Sequence, residues 1–126
     1  MKILITDRSI NVRKLLAREL AAEGHTVFQA INISDAERIM DQIPDLGAII
    51  IDPDLCSESA GNIAFIQKIK NKKLKIIFHE FEEDDEIKKA ISNALFIRKR
   101  GKSVELIKSA LCCEFPKPDE YIEQPF

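Results

Sequence analysis

The sequence predicts a small α/β domain in which a central parallel sheet is covered by helices on both faces. Three observations carry that prediction. Short apolar runs rich in β-branched residues recur along the chain, each too short for a buried helix and each reading as a strand buried on both faces. Amphipathic segments with helical spacing alternate with those runs from end to end. Two of the runs also end in aspartate: Lys2-Ile3-Leu4-Ile5-Thr6 leads into Asp7, and Leu46-Gly47-Ala48-Ile49-Ile50-Ile51 leads into Asp52. In open parallel sheets, ligands and chemistry collect outside the carboxyl ends of the strands, so both carboxylates are expected at one crevice.

The elements follow in order. After Asp7, Ser9 is placed to cap a helix with Val12, Leu15, Leu16 and Leu20 on its inner face, stopped by Gly24. Residues 26–30 form the second strand. Ser34-Asp35-Ala36-Glu37 reads as a capping box that opens a helix with Ile39 and Met40 inward. Pro44 closes the connection to the third strand, residues 46–52. A polar loop over 53–61 leads to a helix carrying Ile63, Ile66 and Ile69. Lys68, Lys70, Lys72 and Lys73 fall on its solvent side and in the next turn, where positive charge complements a helix C-terminus.

The fourth strand is predicted over 74–78, ending at His79. The acidic stretch 80–86 supplies negative charge to the start of a helix that runs to Asn93, with Ile87, Ala90 and Ile91 buried. Residues 95–97 form the fifth strand, closing on Arg98 and Lys99. The last helix, 103–112, turns Val104, Leu106, Ile107, Ala110 and Leu111 inward. The domain therefore spans 1–113. Residues 114–126 contain Pro116, Pro118 and Pro125 without helical period, and read as an extended or disordered tail.

Five strands alternating with five helices, joined by right-handed crossovers, favour the doubly wound flavodoxin-like order 2-1-3-4-5. In that order strands 1 and 3 are neighbours, and Asp7 lies beside Asp52.

Composition narrows the function. A chain of 126 residues fits one domain with a core that needs no disulfide or metal. A net charge of −2 argues against nucleic acid as a partner, and no run is long enough to span a membrane. The first strand begins at residue 2, leaving no room for a signal peptide. Cys56, Cys112 and Cys113 have neither metal-ligand nor redox-motif spacing, so a cytoplasmic location with reduced thiols is expected. No dinucleotide fingerprint or P-loop follows any strand.

With Asp7 and Asp52 on neighbouring strand ends, 45 positions apart, the chain resembles the receiver domain of bacterial two-component response regulators over residues 1–112. In that family the first strand ends in an acidic pair that binds a divalent cation; here the site reads Thr6-Asp7-Arg8. The third strand ends in the phosphoacceptor aspartate, the place of Asp52. The fifth carries an aromatic residue three positions before a lysine, matched by Phe96 and Lys99. The resemblance implies Asp52 as acceptor, Lys99 as its catalytic partner, and Mg²⁺ held by Asp7, Asp52 and the backbone carbonyl of Asp54. It also implies His79 and Phe96 as switch positions. The chemistry has a physical basis: an aspartate attacking a phosphoryl group needs its own charge and the phosphate's screened, which a cation and an ammonium group supply.

Four departures bear on function. Arg8 stands where the second acidic residue belongs, so a metal ligand is replaced by a fixed positive charge. Paired with Asp52 or Asp7 at about 4 Å, that charge is worth roughly 4 kcal/mol at an effective dielectric of ~20, enough to compete with a divalent ion. His79 replaces a Ser or Thr hydroxyl, and Arg100 replaces a proline that usually follows the lysine. Cys56 replaces another frequent proline.

Two readings follow from the resemblance. In the first, a stand-alone, non-enzymatic receiver takes a phosphoryl group on Asp52 from a histidine kinase or phosphotransfer protein and acts on a downstream protein target by direct contact. In the second, a pseudo-receiver binds its partner without phosphorylation, because Arg8 and His79 disrupt the Mg²⁺ and phosphate site. Homodimerisation is left open. Ile51-Asp52-Pro53-Asp54 also resembles the DxD motif of haloacid-dehalogenase-type phosphatases, but Asp84-Asp85 makes a poor second acidic pair for that chemistry.

Overall fold

The structure is a computed structural model that describes residues 1–55, 60–81, 85–91 and 94–112, apart from the side chains of 60–63, 85, 86 and 90. Cys56, Asp84, Asn93, Cys113, the tail 114–126 and the side chains of Ile63 and Ala90 lie outside the described residues.

Strands and helices alternate as β1 Lys2–Thr6, α1 Ile10–Ala22, β2 Thr26–Ala30, α2 Ile33–Gln42, β3 Ala48–Ile51, α3 Ala60–Lys70, β4 Lys75–Glu80, α4 Asp85–Ala90, β5 Leu95–Arg98 and α5 Ser103–Leu111. A 3-10 turn, Pro53–Leu55, follows β3. The five strands are all parallel in the order β2-β1-β3-β4-β5, as the crossover argument requires. Among the described residues no helix is long and apolar enough to cross a membrane.

The core divides into two layers because successive strand residues point to opposite faces. Leu4, Ile49, Ile51, Ile76, Phe78 and Phe96 join residues of α2, α3 and α4 on one side. Ile3, Ile5, Ile50, Ile77, Leu95 and Ile97 join Leu16 and Leu20 of α1 and Ile107 and Leu111 of α5 on the other. Isoleucine dominates both faces, as expected of strands covered on each side.

Several local expectations hold. The Ser9 side chain accepts from the Val12 N–H at the start of α1, and Gly24 takes φ +93° just beyond its end, the left-handed conformation glycine adopts without strain. Lys70, Lys72 and Lys73 are exposed, and Lys68 pairs with Asp41 at 3.2 Å.

Others are corrected. Leu15 is exposed, while Arg13 is buried in the same helix. The inner stripe runs Arg13, Leu16, Leu20, and Leu15 lies 100° around the helix from Leu16. The start of α2 is capped by Asn32, whose side chain accepts from the Asp35 N–H at 2.8 Å, so Ser34 lies inside the first turn. β4 continues two residues past Phe78: His79 pairs with Ile97 and Glu80 with Arg98.

Candidate functional site

Strand register and alternation assemble the site. Thr6 pairs with Ile51, so Asp7 and Asp52 each occupy the first position beyond a paired strand end. The Asp52 N–H donates to the Thr6 carbonyl at 2.8 Å, which locks that level. On the α1/α5 face, the odd positions of β1 lead from Ile3 and Ile5 to Asp7, and on β3 Ile50 leads to Asp52. By the same alternation Ile77 leads to His79, and Leu95 and Ile97 lead to Lys99. The apolar stripe of one sheet face thus ends in four polar side chains at its carboxyl edge.

Lys99 joins the two aspartates. Its Nζ lies 2.9 Å from Asp7 Oδ2 and 3.6 Å from Asp52 Oδ2. All three side chains are withdrawn from solvent, with exposures of 6% for Lys99, 2% for Asp7 and 1% for Asp52. The Lys99 N–H donates to the Glu80 carbonyl at 2.7 Å, so the extra length of β4 anchors the backbone of this lysine. Its ammonium also sits 5.0 Å from the centre of the Phe81 ring, a favourable cation–π position.

Asp7 is held from two sides. Its Oδ1 accepts from the Ser9 N–H at 2.8 Å, and its backbone carbonyl accepts from Arg13 Nη1 at 2.6 Å. The second bond accounts for the burial of Arg13. A guanidinium inside an apolar helix stripe needs an acceptor, and the turn after β1 supplies one.

Asp52 is held differently. Its Oδ1 accepts from the Asp54 N–H at 3.1 Å. Its Oδ2 accepts no hydrogen bond among the described residues, yet lies between Arg8 Nε at 3.2 Å and Lys99 Nζ at 3.6 Å. The same guanidinium reaches Asp54 Oδ2 through Nη2. The partner of Arg8 is therefore Asp52, with Asp54 as a second, and Asp7 is left to Lys99. Arg8 itself is 54% exposed, so it closes the pocket from the solvent side.

His79 is buried at 4% exposure, and neither ring nitrogen has a hydrogen-bond partner among the described residues. Burial, reinforced by the charge on Lys99, pushes its pKa down from 6.5 to about 4. The ring is neutral at pH 7. It borders a cleft of about 240 Å³ shared with Val12, Leu16, Phe81, Lys99 and Val104. Phe96 points to the opposite sheet face. There it stacks on Phe78 at a centroid distance of 5.0 Å, and Lys88 Nζ lies 5.2 Å from its ring centre.

The receiver resemblance implies a divalent cation, and the donor set does not fit one as it stands. Octahedral oxygen coordination needs carboxylate oxygens free to face the ion. Here the carboxylates of Asp7, Asp52 and Asp54 face Lys99 and Arg8. Among the described residues no group of three or more His, Cys, Asp or Glu side chains is placed to hold a metal.

No protein-family model matches this sequence, and a search of curated proteins finds no match. Solved structures do match. A response-regulator receiver domain from Clostridium thermocellum superposes with a TM-score of 0.71 over 88% of this chain and 90% of its own, at 18% identity.

The chain has the CheY-like receiver fold.

The same fold appears in the response regulator TrrA of Thermotoga maritima, solved in complex with Mg²⁺ and beryllium fluoride. It is 25% identical with a TM-score of 0.68, over 86% of this chain and 94% of that one. A Burkholderia pseudomallei response regulator, solved with a phosphorylated aspartic acid, a calcium ion and citrate, shares the receiver fold at 22% identity and a TM-score of 0.71. That match covers 87% of this chain and 65% of the other.

Sequence reasoning placed Asp7, Asp52 and Lys99 together, and they are together. It missed Arg13 and Phe81. Neither carries a sequence signal beyond its position: Arg13 interrupts an apolar stripe and Phe81 follows a strand end.

Proposed function

We propose that this chain is a receiver-type signalling module that accepts a phosphoryl group on Asp52 and signals by protein–protein contact. The supporting observation is Asp52 Oδ2: a buried carboxylate oxygen with no hydrogen bond among the described residues, flanked by two cationic side chains. Oδ1 is tied to the Asp54 amide, so Oδ2 is the oxygen left to act as nucleophile. It attacks the phosphorus of a phosphohistidine or of a small acyl phosphate. A P–O bond to Asp52 forms, and the bond to the imidazole or carboxylate leaving group breaks with its electron pair departing on that group. Lys99 and Arg8 lie where they screen the charge on the phosphoryl oxygens.

The donor on this reading is a histidine kinase or phosphotransfer protein in the cytoplasm. Output is a change in affinity for a downstream protein, through the face built by α4, β5 and α5. The mass of the intact protein after incubation with acetyl phosphate tests the proposal. One phosphoryl adduct, absent in Asp52→Asn, is the expected result.

A second reading has its own observation. The Arg8 guanidinium already spans Asp52 and Asp54, and a buried His79 ring stands where the receiver resemblance implies a Ser or Thr hydroxyl. A pseudo-receiver would keep this arrangement permanently and bind its partner unmodified. Folded wild-type protein that takes up no phosphoryl group, and Asp52→Asn protein that retains partner binding, would favour it.

A further inference from the structure

We infer that Arg8 is the resident cation of this pocket, taking the place of a divalent metal ion, so that together with Lys99 it offsets two of the three carboxylate charges and leaves the site usable without Mg²⁺. The inference deepens the proposed role of Asp52 and rests on that reading for its functional meaning, but its structural content stands separately. Three carboxylates converge at the carboxyl edge of β1 and β3, and without cations they would repel one another. Two are almost wholly buried. Lys99 spans Asp7 and Asp52 from inside the sheet, and Arg8 spans Asp52 and Asp54 from the solvent side. Asp52 is common to both bridges, so the chain's own cations link the three carboxylates in one row.

A divalent ion in such a pocket does two things: it neutralises converging carboxylates, and it presents positive charge to an incoming phosphoryl group. A guanidinium can do both. It is permanently charged, planar and able to address two oxygens at once, which suits carboxylate and phosphate alike. Its Nε and Nη2 already address two different carboxylates. The half-exposed side chain lies at the pocket mouth, where it can exchange Asp54 for a phosphoryl oxygen without disturbing the buried Lys99 bridge. Metal entry has the opposite consequence. A dication would have to displace the guanidinium from Asp52 and Asp54 and then sit beside it, against like-charge repulsion.

The test reads metal binding and phosphoryl uptake separately. Backbone amide signals of Asp7, Asp52 and Asp54 in ¹H–¹⁵N spectra are followed during titration with MgCl₂ alone. Wild-type protein and the variants Arg8→Asp and Arg8→Gln are compared, all checked for fold by circular dichroism. The expected result is no saturable shift in wild type and a saturable shift at millimolar Mg²⁺ in Arg8→Asp. Saturable wild-type shifts would overturn the inference, and so would a folded Arg8→Asp protein that remains blind to Mg²⁺.

Acetyl phosphate labelling then runs with Mg²⁺ or with EDTA. Wild type is expected to label at rates within about twofold of each other, and Arg8→Gln in EDTA roughly tenfold or more slowly than wild type. Labelling of wild type only in Mg²⁺ overturns the inference while sustaining Asp52 as acceptor. No labelling in either condition, with wild-type amides still blind to Mg²⁺, sustains Arg8 in the place of the metal but rejects Asp52 as acceptor and, with it, the use of the site without Mg²⁺.

Discussion

Lys99→Met is the perturbation that the pocket geometry makes most costly. The methionine keeps the length and most of the apolar stem of the lysine but removes the ammonium that spans Asp7 Oδ2 at 2.9 Å and Asp52 Oδ2 at 3.6 Å. At an effective dielectric of ~20, those two attractions are worth about 6 and about 5 kcal/mol before the cost of burying the lysine is charged against them. What the variant experiences is chiefly two buried carboxylates left without that counterion. Asp52 keeps Arg8 nearby, whereas the Asp7 carboxylate keeps only the neutral Ser9 N–H among the contacts described above, Arg13 being bonded to the Asp7 backbone carbonyl. Removing one partner of a buried pair typically costs about 3–5 kcal/mol, a large share of the total stability of a domain this size. Urea unfolding at pH 7, followed by far-ultraviolet circular dichroism, should show a loss in that range with an unchanged m-value. Adding Asp7→Asn should restore part of it, since the orphaned charge is then gone. A loss under about 1 kcal/mol, the size of an exposed surface pair, would refute the reasoning.

Three further outcomes follow from the same structure. His79 is protonated less readily in the folded chain, at about 4 against 6.5, so the unfolded chain binds more protons between those values. Its contribution to stability is complete above pH 6.5 and falls as pH drops toward 4, by up to about 3 kcal/mol in total. Denaturant titrations from pH 7 to 4 should show His79→Leu with a flatter acid limb than wild type. His25, also lowered by burial and the N-terminal ammonium, is common to both proteins and cancels in that difference. Asn32→Ala should cost about 1 kcal/mol by removing the α2 cap, and Ser34→Ala much less, reversing the order the Ser34 capping box implies. Arg13→Met should destabilise by about 1–3 kcal/mol, because the buried Asp7 carbonyl loses its charged donor.

Strand order was legible because it depends on coarse regularities. Alternating runs and right-handed crossovers leave little choice of topology, and the apolar face of each strand follows from its own residues. The positions of Asp7 and Asp52 were legible as the ends of two apolar runs on neighbouring strands, and that of Lys99 through its spacing from Phe96 in the receiver resemblance; in the structure each is the next residue of correct parity after a buried stripe. The extent of β4 was not legible. An apolar run ends at Phe78, but backbone pairing with β5 continues and carries His79 and Glu80 inside. Hydropathy marks where apolar side chains stop, whereas a ladder stops where its partner strand does. Arg13 and Leu15 exchanged places for a comparable reason. The orientation of α1 is set by Leu16, Leu20 and the Arg13 bond to the Asp7 carbonyl, a contact between elements that no local period encodes. At α2 the sequence offered the Ser34 capping box, whereas the cap is Asn32, with its own bond to the Asp35 amide. Arg8 showed its charge in the sequence, but its choice of Asp52 and Asp54 over Asp7 needed the position of Lys99.

On the proposed function, Asp52 Oδ2 is the reactive oxygen of the pocket. Treating the protein with acetyl phosphate, reducing with borohydride and mapping peptides by mass spectrometry reads that atom's chemistry directly. The predicted result is conversion of residue 52 alone to homoserine, the reduction product of an aspartyl phosphate. Folded protein whose residue 52 stays aspartate, or label found at Asp7 or Asp54 instead, would contradict it.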